Sequence, residues 1–199
     1  MKGILFKSEM IQATIEGRET QTRRVIKPQP PQGCSMAVYT HDRCPNLDEW
    51  VFAGEDGDPI DAKCPQPPYQ VGEAVYIQEK IWRIGEYAIY YSDSKPVMFL
   101  QSANRLKWRW QRQYLSPIHL PYEAARYFLK IKDVRAERLQ EITEEDAIAE
   151  GMRRQELPYD IAPVWQYQEL WDSINKDYPW ESNPWVFRYE FEYQTKEKV

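Results

Sequence analysis

The stretch Gly17-Arg18-Glu19-Thr20-Gln21-Thr22-Arg23-Arg24 sets two threonine hydroxyls, one acid and three guanidiniums side by side. Guanidiniums this close together suit a phosphate, a carboxylate or a nucleobase, because each presents a planar fork of donors. The same composition also describes a solvated turn laced with ion pairs. Cys34, His41, Cys44 and Cys64 are spaced Cys-x6-His-x2-Cys-x19-Cys and could supply a Cys3His zinc set. The usual Cys-x-x-Cys knuckle is missing, and free thiols are the plainer reading. Glu79 ends the strand-like Tyr76-Ile77-Gln78-Glu79, where a carboxylate could read an exocyclic amine or pair with Lys80 or Arg83. His119 lies between prolines in Pro117-Ile118-His119-Leu120-Pro121, with no adjacent Ser or Cys to form a triad. Arg105, Lys107, Trp108, Arg109, Trp110, Arg112 and Tyr114 form a basic-aromatic cluster. Its cations would neutralise phosphates and its rings would stack on unpaired bases. The alternative is an amphipathic segment that packs its tryptophans inward.

The elements that position these groups follow from periodicity and stops. Residues 3–7 read as a strand. Ser8 caps a helix over Glu9–Glu16, and Gly17 ends it. Ala74–Ile77, Tyr87–Tyr91 and Tyr127–Val134 read as strands. Thr143 with Asp146 three residues on opens a helix that runs to Glu150 and stops at Gly151. The acids Glu141, Glu144, Glu145 and Asp146 complement that helix start. Pro163 opens another helix, with Tyr167, Leu170, Trp171 and Ile174 on one face. From Trp185 to Tyr193 the aromatics alternate with Val186, Arg188, Glu190 and Glu192, as in a long strand with one packed face. Residues 27–70 are rich in Pro and turn formers, and read as an insertion with one hairpin in a single 1–199 domain. Short strands with a few helices between them give an α+β class. There is no Gly-rich phosphate loop.

Composition narrows the function. The 199 residues carry a net charge of −5, which argues against a non-specific duplex-DNA binder. The charge is uneven: Gln101–Arg138 holds nine Lys or Arg against three acids, and Leu139–Tyr193 holds thirteen acids against four bases. A local basic face is compatible with this pattern. No apolar run is long enough for a membrane span, and the first residues lack the apolar core of a secretory signal. Three cysteines suggest no disulfide framework. The expectation is a cytoplasmic protein with no membrane partner and no cofactor.

The Gly17–Arg24 segment resembles the signature of the ASCH family, a branch of the PUA-like superfamily. That motif runs Gly-x-Lys-x-x-Glu-x-Arg, with Thr in place of Glu in some branches. Gly17, Glu19, Thr22 and Arg24 occupy the matching positions. The chain is more similar to a longer, phage- and prophage-encoded branch. The further matching blocks are Lys63-Cys64-Pro65, Gly72-Glu73 through Glu79, Ser116 through Pro121, Ala147 through Gly151, Leu170 through Asn175, and Asn183-Pro184-Trp185-Val186. The resemblance implies a small mixed β-barrel with flanking helices around a cleft that handles RNA or a modified nucleoside. Small bacterial members include an amidohydrolase acting on N4-acetylcytidine through a Lys, a Thr and a Glu. Its Thr corresponds to Thr22, its Glu to Glu150, and its Lys position holds Glu19.

A carboxylate at that Lys position adds negative charge where an oxyanion would form, so binding ranks ahead of hydrolysis. In the binding reading Arg18, Arg23, Arg24, Glu79 and His119 contact an RNA or nucleoside ligand. In the enzymatic reading Thr22, Glu150 and Glu19 are catalytic. A third reading is a phage accessory protein that uses the aromatic-rich Tyr159–Trp185 stretch to bind a host protein.

Overall fold

The computed structural model describes residues 1–31, 33, 36–39, 50–54, 65–84, 87–97, 112–154 and 161–195. Its strands are β1 (Lys2–Leu5), β2 (Gln21–Val25), β3 (Met36–Tyr39), β4 (Trp50–Ala53), β5 (Ala74–Gln78), β6 (Ile81–Ile84), β7 (Tyr87–Tyr90), β8 (Tyr114–Leu115), β9 (Phe128–Arg138) and β10 (Trp185–Gln194). Its α-helices are α1 (Ser8–Ile15), α2 (Glu144–Ala149) and α3 (Pro163–Ile174). This is a mixed α+β chain. The largest sheet runs β1-β5-β9-β10-β2, beside a β3-β4 hairpin and a three-stranded β7-β6-β8 sheet. Among the described residues no closed barrel is found, because the large sheet ends at β1 on one side and β2 on the other. No described helix is long and apolar enough to cross a membrane.

The chain falls into two compact units. One comprises Met1–Thr20, Gly72–Ile131 and Phe191–Val199, and the other Gln21–Val71 and Lys132–Glu190. In the first, β1 pairs parallel with β5, and β5 antiparallel with β9. One core in this unit joins Ile81, Ala88, Tyr90, Val97, Leu120 and Ala124. Another joins Tyr76, Ala125 and Phe128. Helix α1 ends as its glycine predicts. Gly17 has φ +74°, the Gly17 N–H donates to Thr14 O, and the Arg18 N–H to Ala13 O. That is the two-bond Schellman closure, which needs a left-handed residue at Gly17. At the other end Lys7, not Ser8, is the N-cap, and Ser8 is the first helical residue.

In the second unit β10 pairs antiparallel with β2. Helices α2 and α3 bury Leu139, Ile142, Ala147, Tyr167, Trp171 and Val186 in one cluster, which accounts for Tyr167 and Trp171 as core residues. Ile174, expected on that packed face, is exposed. The capping box forms: Thr143 Oγ1 accepts from the Asp146 N–H and Asp146 Oδ2 from the Thr143 N–H. Gly151, at φ +92°, closes α2 with a second Schellman pair, Gly151 N–H to Ile148 O and Met152 N–H to Ala147 O. Glu150 is thereby held at the C-cap position with its backbone bonded to Asp146 O. The 27–70 stretch contains the expected hairpin, β3 against β4.

Candidate functional site

The Gly17–Arg24 segment is not a solvated turn beyond its first residues. Gln21–Val25 is β2, in register with β10: Thr22 opposite Tyr189, Arg23 opposite Arg188, Arg24 opposite Phe187. Alternation turns Arg23 to one side and Thr22 and Arg24 to the other. Two arginines directly across a strand pair repel unless carboxylates intervene. Here the second unit supplies them. Arg23 donates from Nε to Glu137 at 2.7 Å, from Nη1 to Glu150 at 2.7 Å and from Nη2 to Asp146 at 3.1 Å. Arg188 lies 2.7 Å from Glu190, 3.5 Å from Asp146 and 3.6 Å from Asp133. Asp133 and Glu137 share parity on β9, so one strand face carries both.

Burial works against the charge on Arg23, but Glu150 and Glu137 outweigh it and hold the guanidinium firmly protonated. Burial pushes the Glu150 carboxyl up to about 7, against the pull of Arg23. Tyr167, raised by burial and by Glu150, completes this pocket with a hydroxyl bonded to that carboxylate. Burial would raise Asp146 too, but bonds from Gln21 and from the Thr143 N–H, with Arg23 and Arg188 nearby, hold it below the usual carboxylate range. Arg23 is thus committed to its own chain's acids.

The other side of the β2-β10 pair is aromatic. Trp50 meets Phe187 edge-on at 5.5 Å, and Tyr69 meets Tyr189 edge-on at 5.4 Å. Trp50 and Tyr69, with Pro67, Gln70, Val71, Asp133 and Val134, line a cleft of about 460 Å³. Thr22 is 1% exposed, opposite Tyr189 in the register, and Arg24 is half-buried. Sequence reasoning missed Trp50 and Tyr69 because they lie in the Pro-rich insertion. The available signal was that both are large aromatics in a stretch rich in Pro and turn formers.

The remaining candidates fall elsewhere. Arg18, Glu19, Glu79 and His119 belong to the first unit. Arg18 pairs with Glu16. Glu19 is 2% exposed. His119 is exposed at the end of a 3-10 turn. Glu79 is buried and bonded not to Lys80 or Arg83 but to Arg126, which forks onto both of its oxygens at 2.8 Å. Cys34, His41, Cys44, Cys64, Tyr159 and Arg105 through Trp110 lie outside the described residues. Among the described residues no group of three or more His, Cys, Asp or Glu is arranged to hold a metal.

Fold and site define a mixed α+β chain with an aromatic-walled cleft beside a neutralised arginine pair. No protein-family model matches the sequence, and no curated protein matches it. Among solved structures it is similar to the crystal structure of protein EF3133 from Enterococcus faecalis V583, of family DUF984. The TM-score is 0.41 and the identity 10%, over 98% of this chain and 82% of that one.

Proposed function

We propose that the chain binds a planar, nucleobase-like group, as a modified nucleoside or as an unpaired base of RNA, in the cleft walled by Trp50 and Tyr69. The observation that carries this reading is the pair of braced aromatic rings around one cavity, with the Gln70 amide and the Asp133 carboxylate, which also accepts from Arg135 at 2.6 Å, on its lining. Flat rings stack on a base face, and a carboxylate accepts from an exocyclic amine. The cavity volume falls within the range of small-molecule sites, roughly 300–1,000 Å³. Arg23 is held by Glu137, Asp146 and Glu150, so this reading gives the phosphate contact to Arg24, half-buried on β2. The fold reading that goes with it is PUA-like, of the ASCH type, and the setting is a phage or prophage accessory role in the bacterial cytoplasm.

Hydrolysis of an N4-acylated cytidine is the second reading. A buried Glu150 raised to about 7 is what a proton shuttle needs near neutral pH. Against it stand the burial of Thr22 and the engagement of Glu150 by Arg23 and Tyr167.

Calorimetric titration with cytidine, N4-acetylcytidine and other modified nucleosides, and with a short unpaired RNA, tests the binding reading. Trp50→Ala and Tyr69→Ala should each weaken binding about tenfold or more, the cost of one lost base stack. Absence of binding at millimolar ligand, or affinities unmoved by both substitutions, would overturn it. Turnover of the acylated nucleoside that Thr22→Ala abolishes would move the assignment to hydrolysis.

A further inference from the structure

In the first unit, Lys80 and the aromatic residues of the β7-β6-β8 sheet form a second surface that the cleft reading does not use. Trp82 stands directly opposite Tyr114 in the β6-β8 register. Tyr91 follows β7, and its N–H donates to Lys80 O, which brings its ring alongside. Trp82 and Tyr91 stack at 6.1 Å with their planes 24° apart. The Lys80 ammonium lies 4.7 Å from the Tyr91 ring centre, 4.9 Å from that of Tyr114 and 5.7 Å from that of Trp82.

These rings are 36%, 52% and 45% exposed for Trp82, Tyr91 and Tyr114. The core beneath is made by Ile81, Ala88 and Tyr90, so the three outer rings are not needed to fill it. Three exposed aromatics around one cation are costly to leave bare in water. Charge selects the occupant. Among the described residues, 80–84, 87–91 and 112–115 carry Lys80, Arg83 and Arg112, and the flanking acids Glu79 and Asp93 are both bonded to Arg126. Rings that stack around a cation match an unpaired polynucleotide, whose bases offer flat faces and whose backbone is anionic. Stacking a base outweighs the exposed ammonium-ring contact it displaces. The released Lys80 is then free to meet a phosphate.

We propose that the face formed by Lys80, Trp82, Tyr91 and Tyr114 is a stacking platform for single-stranded RNA. It deepens the nucleobase reading by making the ligand a strand rather than a free nucleoside, and it rests on residues separate from the cleft. The test is fluorescence anisotropy of the full chain with a labelled ten-nucleotide oligouridylate, its duplex, and free nucleoside as a third ligand. Trp82→Ala and Tyr114→Ala should each weaken strand binding about tenfold, with Trp82→Phe recovering most of it. Lys80→Gln should lower the salt slope by about one. Nucleoside binding should not change in any of these variants.

Strand affinity unaffected by both alanine substitutions, no strand binding by the wild type, or preference for the duplex overturns the platform. Sedimentation showing that Trp82→Ala breaks a dimer, with strand affinity unchanged, assigns the face to self-association and also overturns it. Nucleoside binding without strand binding leaves the cleft standing and removes the platform. Trp82-dependent strand binding with no nucleoside binding that responds to Trp50 or Tyr69 keeps the platform and removes the cleft.

Discussion

Arg23 Nη1 stands 2.7 Å from Glu150 Oε1, and both side chains are closed to solvent. Desolvating the two ions costs more than a single contact recovers. The pair is tolerable because Arg23 spreads its five donors over Glu137, Asp146 and Glu150 together. Removing the guanidinium while keeping its volume, as in Arg23→Met, leaves those carboxylates facing one another. The expected loss is about 3–5 kcal/mol, read from urea unfolding. Arg23→Lys should recover little, since a compact ammonium cannot span the three carboxylates that the separate guanidinium nitrogens meet. A loss below about 1 kcal/mol for Arg23→Met would mean the network contributes no more than a surface pair.

The same carboxyl makes stability depend on pH. Burial raises Glu150 from 4.5 in the unfolded chain to about 7 in the folded one. Between those values the folded state keeps a proton that the unfolded chain has released. Stability therefore falls as pH rises through that window and levels off above it. The Glu150 contribution to the fall is about 3 kcal/mol. Asp146 has the opposite sign: its depressed value gives stability that is present above 3.8 and lost as pH drops through the folded value. Comparing wild type with Glu150→Gln across the series isolates the first effect. The wild type should lose about 3 kcal/mol relative to the variant between pH 4.5 and 7. Parallel curves would show that Glu150 titrates normally.

What was legible in the sequence is what local chemistry decides. Gly17 and Gly151 end their helices because only glycine enters the left-handed region cheaply. Thr143 and Asp146 cap α2, and the aromatic alternation of β10 and the apolar core of β5 appear where expected. What was not legible depends on partners far along the chain. β2 has no apolar alternation; Gln-Thr-Arg-Arg becomes a strand because acids 114 to 127 residues away neutralise Arg23. Glu79 was matched to its sequence neighbours, but its partner is Arg126, 47 residues on. β9 runs on to Arg138, past the expected end at Val134, because its polar half carries the acids that face Arg188. The cleft was invisible because Trp50 and Tyr69 are braced by Phe187 and Tyr189 of β10, far along the chain.

The α2 cap has two jobs that substitutions can separate. Thr143→Ala removes one acceptor for the Asp146 N–H and should cost about 1 kcal/mol. Asp146 caps the same helix through the Thr143 N–H, and its carboxylate also receives Gln21 and Arg23. Asp146→Ala should therefore cost clearly more than Thr143→Ala in thermal unfolding. Asp146→Asn, which keeps an acceptor oxygen and loses the charge, should fall between them. Equal losses for Thr143→Ala and Asp146→Ala would show that Asp146 serves the cap alone.

Arg126 is the first unit's counterpart to Arg23. It forks onto Glu79 at 2.8 Å through Nε and Nη2, reaches both Asp93 oxygens at 2.9 Å, and lies 3.6 Å over the Tyr90 ring. Ser92 donates to Glu79 at 2.7 Å and closes the ring of contacts. Burial pushes the Tyr90 hydroxyl up to about 12, against Arg126, which pulls it down. Arg126→Met should destabilise by about 3 kcal/mol or more, because Glu79 is left enclosed without its guanidinium partner. Arg126→Lys should be nearly as damaging, since it loses both the fork and the flat stack on Tyr90. Glu79→Gln alone should cost less, as the amide still accepts one bond. In the Arg126→Met, Glu79→Gln cycle the double variant should be more stable than the two single losses added together, with a coupling of about 1–3 kcal/mol. Strict additivity would mean that Arg126 acts through Asp93 and Tyr90 and that its fork onto Glu79 carries no net stabilisation.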